Sequence, residues 1–442
     1  MQVHAAALVS LIPFVLFGCA ENSVDAPMNV VIVTLDTMRV DPFGTYGNPG
    51  GHTPALDRFA SQATVFENAL TSIGTTLPAH ASLFSGTYPK THGVRWNGDH
   101  VSEDMLVLAE ILKRRGYATG AFVSKPRLLE NGLGQGFDAQ DVDGLRPGIE
   151  TNVGAKQWMS QQTKPFFLWI HYFDAHSPYR LSTYAKQGFA RQAYAGPYIQ
   201  GASIHQFYKF GQEIPATPEE TDAIRTLYDG EVRAVDQAFD DLWKAVERFQ
   251  DADNTIVVVV ADHGQMLGEH DRVGHGFYLW NEVLWIPLFI RVPGQCEGGR
   301  VSTRVGIVDV FPTVLELLGI DAPTKPEGRS LAPVFAGKSL PPGTYFAECR
   351  ALGNTKIRTE EEANAVAIFN GHTKGVLKAE TFTAYDVSAD PDEQHPISEE
   401  RQSLRHRRLR ARLEQYRPTF DNEIGPLSPE ERQHLEALGY IR

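Results

Sequence analysis

The stretch Thr255-Ile-Val-Val-Val-Val-Ala-Asp262-His263-Gly264 decides how this chain is read. Apolar and β-branched residues run unbroken into an Asp-His pair and a glycine. A run of that length reads as a strand buried on both faces, as in a parallel sheet covered by helices. The polar pair then falls just past the strand's carboxyl end, where open α/β sheets place their ligands. Asp supplies a hard oxygen and His an imidazole nitrogen, a pairing suited to a divalent metal. An N-cap aspartate beside a surface histidine explains the pair alone equally well, so the other strand ends decide.

Further apolar runs look like parallel strands: Asn29-Val-Val-Ile-Val-Thr-Leu35 ending at Asp36, Ala118–Val123 ending near Lys125, Pro165–Phe173 ending at Asp174 and His176, and Pro287–Val292. Helical patterns lie between them. Asp104–Arg115 carries Met105, Leu108, Ile111 and Leu112 at helical spacing and stops at Gly116. Thr217-Pro218-Glu219-Glu220 is a capping box with proline at the first helical position, opening a helix through about Phe249. Alternating strands and helices predict a doubly wound, mostly parallel α/β sheet. After about Tyr345, short alternating segments such as Ala365–Phe369 and Lys374–Lys378 predict a small antiparallel sheet, followed by a helical tail. The expected organisation is a leader over 1–19, a catalytic domain over 27–344, an antiparallel subdomain over 345–395 and a tail over 396–442. The stretch 181–216 is long for an α/β connection; a substrate lid and an inert insertion both fit.

The 442 residues carry a formal charge of −13 and no long basic stripe, which argues against nucleic acid as a partner. The arginines of 405–412 read as a solvated helix face. Ala5–Gly18 is too short to span a bilayer and fits the apolar region of a secretory signal. It ends at Cys19 in a pattern like a lipoprotein cleavage site. Export to the periplasm or cell envelope is therefore expected, with a lipid on Cys19 holding the protein at a membrane surface. Cys296 and Cys349 make no framework and read equally as a pair or as two free thiols.

In a doubly wound sheet the strand ends converge on one edge. Asp36, Asp262 and His263 then form a three-ligand metal site with room for substrate. In Thr75-Thr76-Leu77-Pro78-Ala79-His80, Pro78 marks the first turn of a helix and sets Thr76 at its N-terminus, where the helix dipole favours an anion. A threonine hydroxyl beside a metal can ionise and attack; a simple N-cap is the plainer role. His52, His92, His171 and His205 read as structural or surface residues.

These pieces together resemble the sulfatase-like branch of the alkaline phosphatase superfamily. The resemblance rests on Asn29–Asp41, Thr53–Ala60, the Thr76 segment, His92-Gly-Val94, Phe173-Asp-Ala-His-Ser-Pro-Tyr179, Ala261-Asp-His-Gly264, Gly268-Glu-His270, Gly274-His-Gly276 and Val308–Thr313, in that order along nearly the whole chain. It implies an alkaline-phosphatase-like α/β core, a small C-terminal antiparallel subdomain, and hydrolysis or transfer of sulfate, phosphate or phosphonate esters. It further implies Asp36, Asp262 and His263 as metal ligands, with Thr76 as nucleophile touching the metal. His176 falls near the leaving group, His80 in place of an arginine after the nucleophile, and His275 and Lys125 near substrate-contacting basic positions. The resemblance also implies Asn97 as an anion contact.

The chain also departs from the pattern. Formylglycine sulfatases need Cys or Ser where Thr76 stands, and Thr37 replaces a second aspartate. No second Asp/His set is evident, so one divalent ion (Ca, Mn, Zn or Mg) is expected. The expected activity is phosphate mono- or diester, or phosphonate, cleavage through Thr76, with His176 as proton donor and His80, His275 and Lys125 stabilising charge. A sulfatase, a phospho-alcohol transferase acting on envelope glycans or lipids, and a non-catalytic anion- or glycan-binding relative are the alternatives. The expected partner is an anionic ester, glycan- or lipid-linked.

Overall fold

The structure, a computed structural model, describes residues 27–177, 179, 208–209, 212–213, 217–249, 252–294, 298–349 and 364–417. The expected leader with Cys19, Cys296, most of 181–216 and the tail beyond 417 lie outside the described residues. No helix among the described residues is long and apolar enough to cross a membrane.

The core is one eight-stranded sheet. Its strands are β1 (Asn29–Leu35), β2 (Thr64–Phe66), β3 (Ala118–Val123), β4 (Ala139–Asp141), β5 (Phe166–Tyr172), β6 (Thr255–Ala261), β7 (Leu288–Arg291) and β8 (Arg300–Val301), in the order β8-β2-β7-β6-β1-β5-β3-β4. Every residue of β1, β5 and β6 is buried, as their apolar runs require of strands covered on both faces. The run β6-β1-β5-β3-β4 is parallel. Strand β7, expected to be parallel, is antiparallel to both β6 and β2. The link from β6 to β7 holds a short hairpin, the one-turn helix Asn281–Leu284 and a two-residue strand, Trp285–Ile286, but no long helix. With no crossover helix, the chain returns in the opposite direction.

Helix α1 (Pro54–Ala60), α2 (Thr76–Ser85), α3 (Leu108–Arg114), α4 (Gly148–Ser160), α5 (Pro218–Arg248) and α6 (Val310–Leu317) surround the sheet. Helix α3 starts four residues later than its periodicity suggests. The Glu110 carboxylate accepts from Val107 N at 3.2 Å and sets the start there. Helix α5 begins with the expected reciprocal cap: Glu220 N donates to Thr217 Oγ1 and Thr217 N to Glu220 Oε2.

The C-terminal sheet is antiparallel, with β9 (Thr344–Cys349), β10 (Ala365–Asn370), β11 (Thr373–Lys378) and β12 (Thr381–Asp386) in sequential order. Helix α7 (Leu404–Tyr416) buries Leu409, Leu413 and Tyr416 and exposes Arg407 and Arg408. Cys349 is a buried free thiol. Among the contacts that tie this sheet to the main body, two lie near the strand ends of the large sheet. Ile73 bridges Glu348, whose N–H donates to Ser72 O at 2.9 Å. Lys374, wholly buried, donates to Leu279 O and pairs with Glu393; Glu393 in turn accepts from Asn281 N at 2.8 Å.

Candidate active site

Strand order brings the polar strand ends together. Leu35 pairs with Ala261 on one side and Tyr172 on the other, so the residues that follow emerge side by side. Asp36 N donates to Tyr172 O at 2.9 Å, and Asp262 N to Leu35 O at 3.3 Å, carrying the ladder one step past the strands. Val123 pairs with His171, which places Lys125 just beyond the next strand over.

Asp36, Asp262 and His263 are buried, and one ligand atom from each lies within 4.8 Å of the others. Both Asp36 oxygens, Asp262 Oδ2 and His263 Nε2 have no hydrogen-bond partner. His263 Nδ1 faces Gly264 O at 3.0 Å. A carbonyl only accepts, so Nδ1 carries the proton and Nε2 presents a lone pair. Two carboxylate oxygens and one imidazole nitrogen, converging with no partners, fit a divalent cation. Their electrostatics agree. Burial, and then the charge of Asp36, push Asp262 well above the ordinary carboxylate range. Asp36 is held below that range, against its burial, by His176, His171 and Lys125. Two like charges in one dry site resist joint ionisation until a cation joins them.

Thr76 is the first residue of α2 and fully buried, and its Oγ1 has no partner. It is not the N-cap. Asn97 caps the helix from a neighbouring loop, its Oδ1 accepting from Leu77 N at 2.8 Å. That leaves Asn97 Nδ2 as a buried donor without a partner. Lys125 Nζ is buried, lies 4.8 Å above the Phe173 ring and makes no hydrogen bond. Burial pulls its pKa below the ordinary lysine value, while Asp36 and Asp262 oppose the shift.

The imidazoles are locked by acceptors. His80 Nδ1 donates to Thr76 O at 2.8 Å, one helical turn back; His176 Nδ1 donates to Ser177 O; His275 Nδ1 donates to Gln265 Oε1 at 2.6 Å. The ring centroids of His263 and His275 are 4.5 Å apart, and those of His176 and His275 are 5.0 Å apart. Burial first, and the neighbouring His171 second, push His80 well below the usual imidazole range. It therefore offers a lone pair at Nε2, not the positive charge its sequence position suggests. Burial also drops His176 to about 3.

One residue read from the sequence as structural or surface belongs to the centre. His171 is fully buried, with Nε2 3.5 Å from Asp36 Oδ2 and Nδ1 3.0 Å from Thr34 Oγ1. Trp169 Nε1, which can only donate, gives its hydrogen to the same Thr34 oxygen. The available signal was an imidazole inside an otherwise apolar strand; its meaning depends on β5 lying next to β1. Thr37, which replaces an expected aspartate, sits at φ +54° and donates its N–H to Asp262 Oδ1 at 3.2 Å. The hydroxyl of Tyr228 on α5 holds Thr37 from behind by donating to its carbonyl at 2.9 Å. Gly264 permits the tightest approach in the centre, since a Cβ there would stand 2.0 Å from Glu282 O.

Known proteins share this arrangement of elements. The family model described as Sulfatase matches residues 28–320. An ulvan-active sulfatase from Formosa agariphila is 27% identical over 75% of this chain and 71% of its own length. An arylsulfatase from Clostridium perfringens is 24% identical over 69% of this chain and 77% of its own. The crystal structure of the phosphonate monoester hydrolase of Agrobacterium radiobacter superposes with a TM-score of 0.70 at 21% identity, covering 88% of this chain and 94% of that one. The chain belongs to the sulfatase family of the alkaline phosphatase superfamily, hydrolases of sulfuric or phosphoric esters.

Proposed function

We propose that this centre holds one divalent cation on Asp36, Asp262 and His263 and cleaves phosphate mono- or diesters, or phosphonates, with Thr76 as nucleophile. One observation carries the proposal: a buried, unpartnered threonine hydroxyl at a helix N-terminus, in a centre where Asp36, Asp262 and His263 each turn an unpartnered ligand atom inward. A cation bound there would polarise the ester and lower the pKa of a neighbouring hydroxyl. Thr76 Oγ1 forms a bond to phosphorus as the bond to the leaving alcohol breaks, and the threonine proton ends on that alcohol. Water then cleaves the phosphothreonine and restores the hydroxyl. Asn97 Nδ2 and Lys125 Nζ are the donors with capacity left for phosphoryl oxygens. His176 handles protons at Nε2, since its Nδ1 is committed to Ser177 O. The incoming anion raises the affinity of that nitrogen for a proton.

Sulfate-ester hydrolysis is the second reading, favoured by relatives that bear the name sulfatase. Thr76 weighs against it. A sulfated threonine is a plain alkyl sulfate and lacks the geminal hydroxyl with which formylglycine expels sulfate. The test is a panel of aryl phosphate, phosphodiester, phosphonate and sulfate esters, run with Mn²⁺, Ca²⁺, Zn²⁺ or Mg²⁺ on wild type and Thr76→Ala, with accurate mass after acid quench. A phosphorus-bearing adduct on Thr76 is expected. Full activity in Thr76→Ala removes the nucleophile assignment, and a sulfur-bearing adduct transfers the proposal to sulfate esters.

A further inference from the structure

A buried ion pair in the C-terminal sheet reaches the centre through backbone. Lys374 on β11 and Glu393 beyond β12 are both buried and pair with one another. Taking two charges out of water commonly costs as much as their attraction returns, and apolar side chains of similar volume hold a fold as well. Glu393 also sits at φ +53°, a conformation that residues other than glycine rarely adopt. A costly pair on a strained residue points to a use other than stability.

The contacts of the pair supply one. Lys374 donates to Leu279 O, and Glu393 Oε2 accepts from Asn281 N at 2.8 Å. Asn281 Nδ2 donates to Pro391 O at 2.7 Å and fastens the same segment again. On its other side, the segment 279–284 carries the turn that follows β6. Gly264 N donates to Val283 O at 2.8 Å, and Gln265 N to Glu282 O at 2.9 Å. Gly264 O accepts from His263 Nδ1, so the place of Gly264 sets the His263 ring. The segment meets the approach to Thr76 as well. Thr71 N donates to Leu284 O at 2.9 Å, and Val283 Cγ1 stands 2.5 Å from the place of a Cβ on Gly74.

We infer that Lys374 and Glu393 are positioning residues for the metal centre: they fix the segment 279–284 from the C-terminal sheet, and that segment holds His263 in place beside Asp36 and Asp262. Groups that orient a ligand from outside govern metal affinity by about ten- to a hundredfold. The inference rests on the metal-holding reading for its effect on affinity alone; the hold on the turn is a property of the metal-free chain.

The test is hydrogen exchange of the metal-free chain, read by mass spectrometry on the peptide spanning 262–267, in wild type and in Lys374→Met/Glu393→Leu. Removing both charges strands neither, so the urea midpoint should hold. Exchange over 262–267 should rise at least about tenfold while β1 and β5 stay protected. Mn²⁺ affinity, measured by calorimetry, should fall about ten- to a hundredfold. Asn281→Ala loses only the bond to Pro391 O; it serves if the double variant fails to fold, and should raise the same exchange about threefold. Unchanged exchange over 262–267, or Mn²⁺ affinity equal to that of a binding wild type, overturns the inference. A uniform rise that includes β1 and β5 also overturns it, by marking the pair as merely stabilising. Faster exchange over 262–267 in a protein whose wild type binds no Mn²⁺ keeps the hold on the turn and defeats the metal reading.

Discussion

Asp262→Asn tests the metal centre without relying on substrate choice. The change is nearly isosteric and removes one of two carboxylates whose ligand atoms lie within 4.8 Å. At an effective dielectric of about 20, two unit charges at that distance repel by about 3 kcal/mol. In the metal-free wild type that cost is met either as repulsion or as enforced protonation of Asp262, so the asparagine relieves up to that amount. Unfolding entropy of about 2.1 cal/mol/K per residue, over this chain, gives about 0.9 kcal/mol/K. The metal-free variant should therefore melt up to about 3 °C above metal-free wild type. Wild type should gain a similar increment when a cation is present at about a hundred times its dissociation constant, and the variant should gain almost none. The assay is thermal unfolding by circular dichroism, after chelation and after readdition of Mn²⁺. Two results refute the reasoning: a metal-free variant less stable than wild type, or a metal-induced shift that survives the substitution.

Other expectations follow from the same structure. Asp236 on α5 accepts from Ala55 N and Leu56 N and so caps α1 from a distance; Asp236→Ala should cost about 2 kcal/mol in urea denaturation by stranding two amides. Burial raises Glu282 to about 7. A carboxyl raised in the folded state adds stability that is full below its unfolded pKa and lost as pH rises through 7. Glu282→Gln should therefore gain about 2 kcal/mol on wild type in urea denaturation between pH 5 and pH 8, since only wild type loses this contribution. Gly264→Ala should lower stability by more than about 3 kcal/mol and weaken metal binding measured by calorimetry, because the added methyl meets Glu282 O and displaces the turn after His263. His171→Phe preserves the volume of a buried ring but leaves Asp36 without its imidazole neighbour; metal affinity should fall by about ten- to a hundredfold, with helix content unchanged.

The buried strands were legible because β1, β5 and β6 are apolar along their whole length, which only a two-sided cover explains. Asp36, Asp262 and Thr76 stood out for a related reason: each interrupts or follows an apolar stretch at a point where a strand ends or a helix begins. What the chain could not display was adjacency. His171 is one imidazole in an apolar run until β5 lies against β1 and sets it beside Asp36. Asn97 gains its role only because its loop returns to α2 and supplies the cap that Thr75 does not. The direction of β7 was hidden because Pro287–Val292 is apolar in either orientation; the length of the connection decides it.

The bridge between Ile73 and Glu348 affects how this protein can change over evolutionary time. It fastens a strand from the last quarter of the chain to the turn that presents Thr76. The hairpins beyond that strand carry Lys378 and Tyr385, and arginines hold their tips, Arg304 donating to Gly371 O and Arg410 to Glu380 O. A lineage could rewrite the hairpin surface between those contacts while β9 keeps Thr76 in register. Grafting that surface between relatives should accordingly leave turnover intact, whereas exchanging the sheet from β9 onward should disturb the chemistry itself.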